Sequence, residues 1–360
     1  MKKQIRERTF AAIGSRWRKK IDKVKEYERI TRENLDQAGF IPIYMSPDEY
    51  HEGILLKDRL LKRYKGKSFE EVFSGNIINT NKGPCYCLTN DYKVNITKPD
   101  RNTSASRIMS CLRLLYGVGE CTERRLRERG VSTLADLLEH PSHHQEVKEI
   151  IRMIDRSDTH GLMNIICRWF PKSDPLVLCL AGFHKLEDFV FLDLETMGLY
   201  TRPIILFGVA SVCGDTLTVK QYLLRSISDE PAALLATISH INPDAVFVTF
   251  NGRTFDIPYL RERAAFYRLR AQVDLPHFDL LHFARRAWRS TLPDCRLTTI
   301  ESKVIGIERK DDVPSALVPD FYATYLREDN PGPLIPIVEH NRQDIVALTN
   351  IFSLLWEMWK

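Results

Sequence analysis

The chain has 360 residues, 44% of them hydrophobic and 28% charged, with a net charge of +5. That balance excludes a disordered, collagen-like or coiled-coil chain, and the length suggests about two or three domains. No apolar run approaches the roughly 20 residues of a membrane-spanning helix, and the basic N-terminus lacks a signal peptide's apolar core. A soluble, cytoplasmic protein with no membrane partner is therefore predicted.

In chain order, residues 1–32 hold twelve Lys/Arg against four acids. Ile13, Trp17, Ile21 and Val24 recur at steps of three and four, which predicts one long basic helix. A second helix is expected to open at Ser46-Pro-Asp-Glu49, a capping box with proline in the first turn. The segment Cys85–Ile96 reads as a hairpin turning at Asn90-Asp91. A polar stretch, 98–104, marks a boundary, and helices are expected from about 105 to 170. The eight cysteines form no Cys-x-x-Cys pair and read as buried or free thiols of a reducing compartment.

Within that middle segment, Leu115-Tyr-Gly-Val-Gly119 precedes a charged helix. Gly117 and Gly119 permit a tight turn whose N–H groups can face a phosphate. The stretch resembles a helix-hairpin-helix motif, which implies contact with a nucleic-acid backbone. A helical hairpin that merely joins domains is the alternative.

From about 188 the pattern changes. Phe189–Leu194 is a nearly continuous apolar strand, followed by strands at Pro203–Val212 and Thr216–Leu224 with a Gly214-Asp215 turn between them. A helix near 230–240 and a strand at Ala245–Phe250 come next, and the remainder is mainly helical. The expected architecture is α/β, a mixed sheet flanked by helices, after a mainly helical N-terminal region with a small β-hairpin. The predicted divisions are 1–100, 101–172 and 186–360.

Three segments of the last division carry acids. Asp193 and Glu195 end the first strand, where a period of two points both to one face. Asp256 follows Asn251 after a later strand. His340 and Asp344 share a helix face. Each has a plainer reading: chance, an N-cap followed by Pro258, and an exposed helix pair. If the segments converge, four acids meet, and two unit charges about 4 Å apart repel by about 4 kcal/mol at a dielectric near 20. Such a cluster calls for protons or cations, and all-oxygen ligands favour Mg²⁺ or Mn²⁺. Two such ions can clamp both oxygens of a phosphoryl displacement.

The combination Asp193-Leu-Glu195, Asn251-Gly-Arg-Thr-Phe-Asp256 and His340-Asn-Arg-Gln-Asp344 resembles the DEDD 3′–5′ exonucleases of the ribonuclease H-like superfamily. More narrowly, 188–355 is similar to the YprB-type ribonuclease H-like domain. The resemblance implies two metal ions held by Asp193, Glu195, Asp256 and Asp344, with His340 activating or orienting the attacking water. The tyrosine branch of these enzymes has Tyr four residues before the last Asp, and the histidine branch has His five before. This chain has histidine at the tyrosine spacing. Bound cations would lower its pKa and leave a neutral base at pH 7.

Asn251 either positions a nucleotide or turns the chain. Nine arginines between 253 and 296, interleaved with Phe266, Tyr267 and Trp288, suggest a strand-binding groove. The expected partner is DNA or RNA with a single-stranded 3′ end. A metal-dependent 3′–5′ exonuclease is the favoured reading. A non-catalytic nucleic-acid-binding protein on the same fold and a structure-specific endonuclease are the alternatives.

Overall fold

The computed structural model describes residues 47–198 and 201–360. The expected N-terminal basic helix and the Ser46 cap lie outside those residues. Residues 56–360 form one compact unit. Helix α1 (Pro47–Arg63) carries Asp48 and Glu49 in its first turn and Lys62 and Arg63 in its last, the distribution that the helix dipole favours.

Seven strands form one mixed sheet in the order β1-β2-β5-β4-β3-β6-β7. They are β1 (Asn76–Thr80), β2 (Gly83–Lys93), β3 (Phe189–Thr196), β4 (Ile204–Cys213), β5 (Thr216–Leu223), β6 (Val246–Thr249) and β7 (His277–Asp279). Antiparallel pairing joins β1 through β3, whereas β6 runs parallel to β3 and β7 parallel to β6. The C-terminal ends of β3, β6 and β7 therefore share one edge of the sheet.

The hairpin turns elsewhere than the sequence suggested. Asn90 and Asp91 lie inside the unbroken strand β2, paired with Val219 and Thr218. The turn is at Asn81-Lys82, where the Thr80 hydroxyl donates to the Gly83 carbonyl at 2.9 Å and accepts the Lys82 N–H at 3.1 Å. An Asn-Asp pair favours turns in isolation, but here β5 supplies ladder partners. The Thr218 hydroxyl also donates to the Asp91 carboxylate at 2.7 Å. Cross-strand pairing overrides local propensity.

Between β2 and β3 lie α2 (Arg101–Met109), α3 (Glu120–Glu128), α4 (His144–Asp155), α5 (Thr159–Trp169) and the short α6 (Pro175–Cys179). Asp100 and Asp158 cap α2 and α5 by accepting N–H groups three residues on, at 2.8 and 2.9 Å. Val147, Ile150 and Ile154 recur at helical spacing and are buried. They join one core with Leu162, Ile166 and Leu178, and with Phe189, Phe191 and Phe278 of the sheet. The helical segment thus packs on the sheet rather than hanging from it.

The C-terminal helix α11 (Leu334–Trp359) runs across β3, β4 and β5, burying Ile345, Leu348 and Phe352. It approaches so closely at Gly208 of β4 that an added Cβ there would lie 2.2 Å from Asn341 Oδ1 and 2.5 Å from Ile345 Cδ1. We expect Gly208→Ala to cost about 1–3 kcal/mol in urea unfolding through overpacking, and to push Asn341 off the Asp193 carboxylate described below. An unfolding midpoint equal to that of the parent protein would contradict this packing.

Candidate functional site

Asp193 and Glu195 project from β3 with Leu194 buried on the opposite face, and the β3–β4 register shifts just after Glu195. The carboxylate of Asp193 is gripped by α11: Asn341 Nδ2 donates to Asp193 Oδ2 at 2.7 Å and to its carbonyl at 3.0 Å. Gln221 Nε2 of β5 in turn donates to Asn341 Oδ1 at 2.8 Å. Those contacts fix the amide's orientation and, through it, the carboxylate.

Asp256 opens helix α8 (Asp256–Phe266), which follows α7 (Glu230–Ile238) and β6. It does not cap its own helix. Its Oδ1 instead accepts the Leu194 N–H at 3.0 Å, tying the helix start to β3 between the two strand acids. The preceding loop is shaped by Asp279 at the end of β7, whose carboxylate accepts N–H groups of Asn251 at 2.8 Å and Arg253 at 3.0 Å. Asn251 adopts φ 69°, left-handed backbone that asparagine tolerates, and its side-chain oxygen accepts the Thr254 hydroxyl at 2.8 Å.

His340 and Asp344 are not an exposed pair. The imidazole is 7% exposed. Its Nε2 lies 3.8 Å from Asp344 Oδ2 and 3.9 Å from Glu195 Oε1. Its Nδ1 lies 2.7 Å from Asp312 Oδ1, which assigns that proton to Nδ1 and leaves Nε2 toward the acids. Arg309 completes the group: its guanidinium donates to Asp344 Oδ1 and, from Nε, to Glu301 at 2.7 Å.

The electrostatics follow from burial and crowding. Burial pushes the Asp193 carboxyl well above the usual range, and Asp344 and Asp256 add to it. Burial does the same for Glu195, against the pull of His340. Asp256 is pushed up to about 8, chiefly by burial, although the Leu194 N–H opposes the shift. For His340, burial disfavours the imidazolium, but Asp344, the bond to Asp312 and Glu195 overcome it and raise the ring to about 10. The neutral ring expected from the sequence therefore requires cations on those acids.

The four acids predicted from the sequence thus form one electrostatic cluster, with His340 among them. Asp312, Arg309, Asn341 and Asp279 were not singled out, because their roles arise from contacts between residues 28 to 148 positions apart. Among the described residues, no group of three or more His, Cys, Asp or Glu side chains is gathered closely enough to hold an ion. Three of the acids are turned onto internal donors: Asp193 onto Asn341, Asp256 onto Leu194 and Asp344 onto Arg309. The donor set itself, all oxygen and short of countercharge, fits Mg²⁺ or Mn²⁺.

Of the aromatics named for the expected strand-binding groove, Phe266 and Tyr267 are half-buried. Trp288 is buried in the core. Tyr267 donates its hydroxyl to Glu230 at 2.7 Å, and Arg263 pairs with the same buried carboxylate. One turn of helix puts Arg263 and Tyr267 on the same face toward Glu230, while the Arg263 guanidinium covers the Phe266 ring at 4.5 Å.

The hairpin glycines are placed as the turn requires. Gly117 has φ 76°, and Gly119 is the N-cap of α3. Glu120 and Glu123 occupy the first turn of that helix, and Glu146 of α4 accepts the Tyr116 N–H at 3.0 Å.

Comparison with known proteins bears on the fold. Residues 190–356 match the family model of the ribonuclease H superfamily. This part of the chain has a ribonuclease H-like fold. The uncharacterized protein YprB of Bacillus subtilis (strain 168) is 32% identical over 207 residues, spanning 54% of this chain and 50% of that protein. The chain thus spans about half the length of the curated relative it matches. Among solved structures, the family B DNA polymerase of Pyrobaculum calidifontis overlaps 47% of this chain and 24% of its own, with a TM-score of 0.35 at 14% identity. That overlap is too limited to bear on function.

Because Asp193, Glu195 and Asp256 have raised folded pKa values, the ribonuclease H-like domain gains stability from their protons. That stability is lost as pH rises through the folded pKa values, near 8 for Asp256. Melting in EDTA should therefore show Tm falling between about pH 4 and 8. Mn²⁺ should restore Tm more at the alkaline end, and Asp193→Asn should raise Tm in EDTA while weakening the Mn²⁺ effect. A pH-independent Tm would mean that the acids do not repel one another as described.

Proposed function

We propose that the chain is a nuclease of the 3′–5′ exonuclease kind, acting on DNA or RNA. The observation that carries this reading is the convergence of Asp193, Glu195, Asp256, Asp344 and His340 on one edge of a ribonuclease H-like sheet. Asp193, Glu195, Asp256 and Asp344 would hold two Mg²⁺ or Mn²⁺ ions after turning from their internal donors, the backbones already being in place. Bound there, the ions supply Lewis-acid stabilisation of the phosphoryl oxygens and acidify the attacking water.

The protein's own groups do the rest. His340 Nε2 takes the water's proton, and Asp312 on Nδ1 holds the ring in the tautomer with Nε2 free and steadies the imidazolium that forms. Asn341 keeps Asp193 in line, and Asp279 holds the loop of Asn251, where a terminal nucleotide would be met. A binding-only protein is disfavoured, since it has no electrostatic reason to keep four acids clustered beside a phosphodiester. The eight cysteines, all unpaired, fit a reducing cytoplasm.

The test is a time course on 5′-labelled single-stranded DNA and RNA with Mg²⁺, Mn²⁺ or EDTA. A ladder shortening from the 3′ end is expected with metal, absent in EDTA and in Asp193→Asn. Internal cleavage would instead indicate an endonuclease, and turnover unchanged in Asp193→Asn would refute the site. Removing the base, as in His340→Ala, should slow cleavage by roughly 10²-fold or more at pH 7. Asp312→Asn should slow it less, with Mn²⁺ affinity mostly kept. A normal rate in both variants would remove His340 from the chemistry.

A further inference from the structure

Two aromatic rings on separate elements stand out from the surface and touch. Tyr116, at the hairpin tip, is 75% exposed, and Trp169, at the end of α5, is 38% exposed. Their ring centroids lie 6.0 Å apart at an interplanar angle of 55°. The rings are presented by an ordered frame. Leu115 and Val118 beside Tyr116 are buried, and the Tyr116 N–H is held by Glu146.

Cations border the pair. The Arg113 guanidinium lies 5.2 Å over the ring of Phe170, next to Trp169, and pairs with Glu120 at 3.2 Å, while Arg168 and Lys172 flank the same turn. From there α5 leads toward the acid cluster: Met163 Sδ is 3.3 Å from Arg253 Nη2, in the loop that carries Asn251. The hairpin backbone itself is a poor seat for phosphate. Glu146 already accepts one of its N–H groups, and Glu120 and Glu123 stand at the start of α3. The ring faces are what this surface offers, and a ring face takes a base rather than a phosphate.

We propose that Tyr116 and Trp169 form a stacking platform for unpaired bases of a single strand whose end reaches the acid cluster; this rests on the nuclease reading above. Bases within a duplex are already stacked on each other, so the platform selects unpaired strands.

The test measures fluorescence anisotropy of labelled oligothymidine in EDTA, where cleavage does not intervene, for the full chain and three variants. Tyr116→Ala and Trp169→Ala should each weaken binding about tenfold, as stacking losses do. Tyr116→Phe should bind like the parent protein. The salt slope should stay unchanged, since no phosphate contact is removed, and an abasic strand should bind all four proteins alike. Equal affinity of the alanine variants for oligothymidine would overturn the platform and leave the pair as a protein-docking face. An equal loss on the abasic strand would overturn stacking as the cause. Base-dependent binding by a parent protein that cleaves nothing would uphold the platform and refute the nuclease.

Discussion

The cost of ionising buried carboxylates is the constraint around which this domain is organised. Burial, and after it the charges of neighbouring acids, raises the cost of ionising Asp193, Glu195 and Asp256. The surrounding structure answers that cost with donors: an amide for Asp193, a backbone N–H for Asp256, and a guanidinium for Asp344. Each donor has its own supports. Asn341 needs Gln221 to fix its orientation and Gly208 to admit it, so one residue without a side chain on β4 underlies the placement of a carboxylate on β3.

Sheet direction explains why these groups meet. β3, β6 and β7 pair in parallel, and their C-terminal ends present Glu195, the Asn251–Asp256 loop and Asp279 along one edge. An open α/β sheet gathers ligands at such an edge because the chain leaves the strands there in loops and helix starts. Asp279 is spent on holding the loop, accepting its N–H groups, while Asp256 reaches back to β3. Two acids of similar burial thus take different roles according to which donors lie within reach.

The middle helices join the sheet through a shared core, which makes the hairpin a rigid outpost of the same body rather than a tethered arm. Its charge pattern departs from the expectation of a backbone cradle. Acids line the hairpin and the start of α3, and basic side chains gather instead toward Phe170, Lys172 and Arg253.

Much of this was legible in the linear pattern. The nearly continuous apolar run Phe189–Leu194 and the Gly214-Asp215 turn depend on neighbours a few residues apart, and so did the pairing of Asp193 with Glu195 and of His340 with Asp344. The turn at Asn90-Asp91 was misread because a strand from more than 120 residues away pairs with it. Asp312, Arg309 and Asn341 carried no local signal, since their meaning lies in the partners that folding brings to them. Trp288 likewise looked available until packing enclosed it. By itself, the sequence determined the chemical groups and their local geometry, because spacing along the chain sets which side chains share a face. Only the tertiary structure decided which acid faces which donor, because those distances depend on strand order and on where α11 crosses the sheet.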